Sequence, residues 1–476
     1  MQRHDRGEPA AGDHGRDDLG GEPAVRLQHP LKRRVVECGA AVRLNDLVSL
    51  HELPYHRLVA EVDGPFADEG DDARGERLVR DGKCVVAGHV LSERDAAGAD
   101  DAQQVSQDRV DLRQDLAVII RLPEDALRSY AEAIVAGLGA SPDAARTVAS
   151  SLIEADRRGV HTHGLVRLPS YCADARAGRI VVDAVPRLER EHGPTASFDG
   201  GGAFGAVTGT AGMDEAIARA ERHGVGFVTT RGGNHFGAAA FYSLRAVARG
   251  LVGIAATSTP AVMAPWGGAE ARLGNNPLSV AAPMPEGEPP FVLDFAQSTV
   301  SRGRIKLAEL NGESIPSGWA LDPEGRPTTD PVAALAGALL PSGGHKGYGF
   351  ALAIEVLTGV LAGGELGPEL INASLTGAAR SGSAAKTGTV GSLYVAVDPA
   401  HFVGREAFTA RMARLRDVIK ATPPVPGVEE VLIPGEPEAR AAEQARIRGI
   451  ELEASTVEAL AELGASESVP FPDVGS

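Results

Sequence analysis

The chain has 476 residues, 43% of them hydrophobic and 23% charged, with a formal net charge of −17. That length leaves ample material for a sizeable core and more than one domain. The acidic balance argues against a general polyanion-binding role such as nucleic-acid binding, leaving room only for a local basic pocket around a phosphate. Cys38, Cys84 and Cys172 are scattered without paired spacing, against a disulfide framework or a structural zinc site, and no metal site is expected. Residues Met1 to Asp5 run into charge without an apolar h-region. The longest apolar stretch, Gly349 to Gly363, carries Glu355 and is too short to span a bilayer. A cytoplasmic protein with no membrane partner is expected.

Residues 1–117 are rich in Asp, Arg, Gly and Ala, and their apolar islands (Val35-Val36, Val85-Val86-Ala87) are small. They read as a disordered or non-native N-terminal extension. Residues 118–190 read as the first part of a helical domain. Helical periodicity runs from Pro123 to Gly137, and Ser141-Pro142-Asp143 marks the start of a second helix, with Ser as N-cap and Pro at the first position. That helix reaches Asp156 and delivers the segment Thr162 to Tyr171. If this segment is helical, His163, Arg167 and Tyr171 share one face, placing a proton carrier, a fixed cation and a phenol together. The bland reading is ordinary surface polarity with Tyr171 half-buried.

Residues 191–340 turn to strands and glycine turns. Val225 to Thr230 and Val252 to Thr257 are β-like runs, each following a helical stretch that ends in glycine, which indicates a layered α/β domain. Gly200-Gly201-Gly202-Ala203-Phe204-Gly205 formally matches G-x-G-x-x-G, but its lead-in is polar and contains Pro194. A turn before a helix at Met213 to Arg222 is expected there. Gly232 to Ala239 is the better anion site, because its glycines follow a strand and leave backbone N–H groups open at the start of a helix. His235 sits at that junction. Asp294, at a strand end, is expected to orient a histidine, bind a hydroxyl or form a turn. Residues 341–476 read as helical again, from Gly347, Ala407, Glu436 and Ser455 onward. Lys346 in Ser342 to Gly349 is offered as a phosphate or carboxylate partner. His161 and His163 near Asp156 invite a metal, but no third ligand has motif spacing. No G-x-S-x-G elbow is present.

Several motifs in order resemble the malate/L-lactate dehydrogenase family, which includes sulfolactate and ureidoglycolate dehydrogenases and Δ1-piperideine-2-carboxylate reductase. They are Gly159 to Gly164 with Arg167-Leu168-Pro169, Asn234 to Ala239, Met263 to Gly268, Gly274 to Leu278, Leu293 to Ala296, Gly318 to Asp322, Pro327 to Asp330 and Gly344 to Gly349. The resemblance covers roughly residues 120 to 460. It implies an α/β (α+β) fold that is not Rossmann, with a mixed-sheet NAD(P)-binding domain inserted in a mainly helical one, and a homodimer. Gly200 to Gly205 is then a decoy. By position, His163 and His235 are the candidate acid/base groups, with Thr162 beside them. Arg167 holds the substrate carboxylate, and Tyr171 and His163 line the substrate. Histidine exchanges a proton near neutral pH, and the arginine fork donates two hydrogen bonds to a carboxylate.

The same resemblance places NAD or NADP at His235, Phe236, Gly237, Ala238, Ala239, Asn275, Asp294, Phe295, Arg304, Gly344, His345, Lys346 and Gly347. The implied reaction moves a hydride between the nicotinamide and C2 of a small 2-hydroxy or 2-oxo acid. Reduction of a cyclic imino acid with NADPH is the alternative within the family, and an inactive cofactor-binding member is the alternative outside enzymology. Four departures bear on substrate identity. Thr162 stands where serine is frequent, and His161 replaces a frequent acidic residue. Arg304 takes a common lysine position, and Thr257-Ser258-Thr259 lacks an asparagine often found there.

Overall fold

The structure is a computed structural model that describes residues 119–370 and 388–472, with the backbone of a short antiparallel hairpin, β1 (Leu78–Arg80) and β2 (Lys83–Val85). Apart from that hairpin, the reading of residues 1–117 as an extension lies outside the described residues.

Strand β3 (Ile119–Leu122) leads into helices α1 (Glu124–Gly137) and α2 (Pro142–Arg157). The Ser141 hydroxyl accepts the Ala144 N–H at 3.2 Å, with Pro142 at the first turn, so the expected cap forms. Such a cap contributes about 1 kcal/mol. Leu127, Tyr130 and Ile134 of α1 are buried, as are Val148, Leu152 and Ile153 of α2, following the helical period of the sequence. Two single 3₁₀ turns, His161–His163 and Leu165–Arg167, then precede α3 (Leu168–Arg176).

The chain next enters a sheet. Strands β4 (Arg187–His192) and β5 (Thr195–Asp199) are antiparallel, and α4 (Gly205–His223) crosses to β6 (Val225–Gly233), which runs parallel to β5 with Thr195 opposite Phe227. Helix α5 (Ala240–Val247) is followed by β7 (Val252–Thr257), β8 (Leu278–Ala282) and β9 (Phe291–Phe295), an antiparallel run. A smaller unit contains α6 (Arg302–Leu310), β10 (Ala320–Leu321), β11 (Pro327–Thr328), α7 (Pro331–Ala336) and β12 (Ala338–Leu339). Helix α8 (His345–Glu355) runs on through a π-helical turn, Val356–Leu361.

Strand β13 (Val390–Val397) then lies between β6 and β7, antiparallel to both. The order among the described residues is β4-β5-β6-β13-β7-β8-β9, mixed because only β5 and β6 are parallel. Helices α9 (Arg405–Lys420) and α10 (Glu436–Arg448) follow. Strand β14 (Ile450–Glu453) returns to pair with β3, placing Ile450 opposite Leu122, and α11 (Ala454–Glu467) completes the helical layer. One apolar core therefore joins Leu127, Leu152, Leu165 and Leu168 to Val457 and Leu460 from the other end of the chain. A second core, with Met213, Val228, Tyr242 and Tyr394, fills the space under α4 and α5.

Two sequence expectations change. Helix α4 begins at Gly205, not Met213. Gly209 and Gly212 lie inside it, where a Cβ would overlap the rings of Tyr242 and Tyr394. These glycines are sites of close packing rather than breaks. Strand β13 also falls in a stretch read as helical. Its Gly391 and Ser392 dilute the apolar signal, and its pairing partners come from far away in sequence.

Candidate functional site

The segment from His163 to Tyr171 is not one helical face. Gly164 is extended (φ −87°, ψ −150°) between the two 3₁₀ turns, and α3 starts only at Leu168. The cause is Asp156, in the last turn of α2, whose buried carboxylate accepts the Leu165 N–H at 2.7 Å and bonds His161 Nδ1 at 3.0 Å. Gly164 packs so closely on that carboxylate that a Cβ would overlap it.

The three side chains nevertheless converge with His235. The Tyr171 hydroxyl bonds His235 Nδ1 at 2.7 Å, and the His163 and His235 rings lie nearly parallel, 20° apart, with centroids at 5.7 Å. Thr162 Oγ1 bonds His163 Nδ1 at 3.0 Å. Each Nδ1 thus has a hydroxyl partner that donates or accepts, and Nε2 is the nitrogen left for a ligand. Arg167 Nε donates to the Thr162 carbonyl at 2.7 Å, which fixes the guanidinium and spares its terminal nitrogens.

Electrostatics follow from this crowding. Poor solvation, reinforced by the Arg167 charge, pushes the His163 ring down to about 4. His235 falls well below the ordinary imidazole value for the same reason, with His163 and Arg167 adding to it. Burial raises the Tyr171 phenol, which stays protonated at neutral pH. Two neutral imidazoles stand beside a fixed cation that pairs with no carboxylate among the described residues.

The glycine run Gly200 to Gly205 does have the strand–turn–helix context that its polar lead-in argued against, since it joins β5 to α4. The chain itself fills the turn. Asn234 Nδ2 donates to the carbonyls of Gly202 (2.7 Å) and Ala203 (2.9 Å), and a Cβ on Gly205 would overlap the His235 carbonyl. These glycines bring the His235 loop against α4 and leave no cradle for a pyrophosphate.

In the His235 loop, Phe236 is buried against Tyr242 and Tyr394 and Ala239 is buried too, so only their backbones face outward. The first N–H of α5 is taken, because Asp294 caps the helix by accepting the Ala240 N–H at 2.7 Å. Asp294 therefore acts as the anion at that helix end instead of orienting a histidine. The N–H groups of Gly237, Ala238 and Ala239 make no hydrogen bond among the described residues, and Gly237 (φ +80°) has open space around it. Phe295, beside Asp294, is exposed.

The remaining expected residues form a second set. Asn275 accepts the Gln297 N–H through its carbonyl at 2.7 Å, and its side chain accepts the Thr259 hydroxyl at 2.8 Å. The Gln297 carbonyl in turn accepts the Ser342 N–H at 2.8 Å, which ties Asn275 to the loop entering α8. Gly344 (φ +65°) lies under Trp266, whose ring meets His345 edge-on, while Lys346 is exposed and Gly347 is packed against Ser342. The Arg304 guanidinium lies 5.5 Å from the Trp319 ring centre. No hydrogen bond among the described residues joins this second set to His163 or His235.

The sequence reading missed Asp156 as the organiser of the His163 turn, and Asn234 as the clasp between two loops. It also missed Asn276, buried at φ +25°, whose Nδ2 donates to Glu355 at 2.7 Å and to the Ala351 carbonyl at 3.0 Å. A buried-looking acid two residues before Arg158-Gly159 was the signal available for the first. The other two stand in the motifs Asn234 to Ala239 and Gly274 to Leu278, but their buried partners are set by the fold.

Comparison with known proteins agrees with this architecture. The family model for malate/L-lactate dehydrogenase matches residues 122–461. L-sulfolactate dehydrogenase of Methanocaldococcus jannaschii is 38% identical over 302 residues, covering 63% of this chain and 84% of that protein. Ureidoglycolate dehydrogenase (NAD(+)) of Escherichia coli O157:H7 is 34% identical over 334 residues, covering 70% and 93%. The solved malate dehydrogenase of Pyrococcus horikoshii OT3 superimposes with a TM-score of 0.67 at 32% identity, over 74% of this chain and 97% of that one. The likeness extends over nearly the whole length of these proteins and includes the mixed sheet between two helical ends. By family model, sequence and fold alike, this chain belongs to the malate/L-lactate dehydrogenase family.

Proposed function

We propose that the protein is an NAD- or NADP-dependent oxidoreductase acting at C2 of a small 2-hydroxy or 2-oxo acid. The observation that carries this reading is the convergence of His163, His235 and Tyr171 with Arg167 beside them. Sulfolactate, malate and ureidoglycolate, named for the relatives, are each acids bearing a hydroxyl next to the carboxylate. That shared feature is what a guanidinium fork and a neutral imidazole recognise together.

When bound, NAD(P) supplies or takes the hydride at C2. The residues present suit a dinucleotide: the N–H groups of Gly237 to Ala239, without a hydrogen bond among the described residues, donate to anionic oxygens, and the exposed side chains of His345 and Lys346 stand at the start of α8. Asn275, Phe295, Arg304 and the exposed face of Trp266 complete the groups offered to it. In the oxidising direction Arg167 holds the carboxylate, and Nε2 of His163 or His235 takes the hydroxyl proton, with Nδ1 steadied by Thr162 or Tyr171. The substrate anion also favours the imidazolium that results, countering the Arg167 charge.

A second copy of the chain is the natural partner. Along α8 and the π-helical turn, Phe350, Leu352, Val356, Val360 and Leu361 are all exposed, a stripe of large apolar side chains of the kind monomers seldom leave bare. We place the protein as a homodimer through this stripe. The buried unpaired Cys172 suits a reducing cytoplasm. Among the described residues no helix is long and apolar enough to cross a membrane.

The deciding experiment follows NADH and NADPH oxidation with pyruvate, oxaloacetate, other 2-oxo acids and cyclic imines. Turnover of a 2-oxo acid supports the reading, and turnover of a cyclic imine alone would shift it to imino-acid reduction. Cofactor binding with no turnover of any compound would mark an inactive family member.

A further inference from the structure

We infer that Asp156 is a positioning residue for the reaction, setting where His163 and Arg167 stand by holding the turn that carries them. The inference rests on the reading of His163 and Arg167 as substrate-handling groups. Its physical basis is independent of that reading.

Asp156 is poorly placed for any local purpose. Its side chain is only 1% exposed, and a buried carboxylate loses hydration that an apolar residue would never need. It also sits in the last turn of α2, where the helix dipole already concentrates negative charge. Burial accordingly pushes its carboxyl upward, and only the donors of the following turn pull it back. Those donors are the Leu165 N–H on one oxygen and His161 Nδ1 on the other. His161 is pushed up by the Asp156 hydrogen bond, and Glu451 and Glu453 of β14 add to this from the far side, with Arg121 of β3 paired to Glu451.

The turn has little else to fix it. His163 N–H reaches the Val160 carbonyl (2.9 Å), Gly164 N–H reaches His161 (3.2 Å), and Arg167 N–H reaches Gly164 (2.9 Å), each a single 3₁₀ closure. None of these three crosses from the first turn to the second; the Arg167 Nε bond to the Thr162 carbonyl, at 2.7 Å, crosses within the segment itself. Asp156 also joins the two turns: one oxygen grips His161 in the first turn, the other grips Leu165 in the second, and Gly164 is pressed against the carboxylate between them. His163 belongs to the first turn and Arg167 to the second. Their relative placement, and so the alignment of a carboxylate on Arg167 with its neighbouring carbon at His163, is set through this side chain together with the Arg167–Thr162 bond.

The test compares full-length wild type with Asp156→Ala, Asp156→Asn, Gly164→Ala and Arg167→Ala. The readouts are oxaloacetate kinetics with NADH or NADPH, oxalate binding to the dinucleotide complex by calorimetry, and dinucleotide affinity by fluorescence. Asp156→Ala is expected to lower kcat/KM about ten- to a hundred-fold, through both a higher KM and a lower kcat. Oxalate affinity should fall in parallel while dinucleotide affinity stays at the wild-type value. Asp156→Asn keeps an acceptor for Leu165 and should recover most of the loss.

A merely structural role would lower the melting temperature and the active fraction but leave KM and oxalate affinity unchanged, and that result overturns the inference. Should Asp156→Ala fail to fold, Gly164→Ala reads the same contact from the other side, since its methyl overlaps the carboxylate; unchanged KM and oxalate affinity there would equally overturn it. Arg167→Ala separates the two levels. If it leaves KM and oxalate affinity unchanged, the site reading itself fails. If it weakens both while the Asp156 and Gly164 variants do not, only the present inference fails.

Discussion

His163 shows how far residue type carries an argument and where surroundings take over. A histidine four residues before an arginine is visible in the sequence, but its depressed proton affinity arises from the walls around it and from Arg167. The linkage has a definite sign. With the folded value near 4 and the unfolded value near 6.5, the unfolded chain binds the extra proton first. The stability associated with a neutral His163 is complete above pH 6.5 and is lost as pH falls from there through about 4. His163→Gln should therefore lose stability less steeply than wild type over that window in denaturant titrations, and equal slopes would contradict the shift. Arg167 makes a different prediction. Hydrogen bonds to charged groups contribute roughly 1.5–3 kcal/mol, so Arg167→Ala should raise KM for the acid substrate by about ten- to a hundred-fold. Arg167→Lys should restore only part of this, because a point charge lacks the planar fork. The residue types of this site were legible in the sequence; their hydroxyl partners, Thr162 and Tyr171 on the two Nδ1 atoms, were only half so, because Tyr171 and His235 lie 64 positions apart.

At the scale of elements, regular periodicity was a reliable guide and glycine was not. Helices α1 and α2 appear where their apolar spacing and the Ser141 cap put them. Helix α4 extends back through glycines that looked like a loop because two tyrosines, Tyr242 and Tyr394, need bare backbone to approach it. Gly212→Ala should improve local helix propensity yet lower stability by roughly 1–3 kcal/mol through overpacking. Chemical denaturation will show this, and a stabilised variant would mean the ring contact is slack. The His163 segment erred in the opposite direction. Four-residue spacing implied a helical face, and the buried Asp156 carboxylate instead diverts the Leu165 N–H and breaks the segment into two short turns. Asp294 takes the first N–H of α5, so the groups left for a ligand are those of Gly237 to Ala239 in the loop before it.

For the whole molecule, the apolar stripe on α8 and its π-helical turn is the feature with the largest consequence. Val356→Lys places a charge in its middle without touching either core. Light scattering on the eluting protein is expected to report a dimer for wild type and a monomer for the variant, and a monomeric wild type would overturn the proposed dimer. The central sheet makes the complementary point. Strand β13 inserts between β6 and β7 after a separation of more than a hundred residues, so its place depends on both neighbours being formed. The sequence by itself determined the helices, the family and the chemical types at the site, because helical period, capping and motif order are local and survive without neighbours. Tertiary structure alone decided that β13 is central, that Gly200 to Gly205 is filled by its own chain, and that Asp156 carries the His163 turn. Each of these depends on a buried partner distant in sequence or on a backbone path that spacing cannot encode.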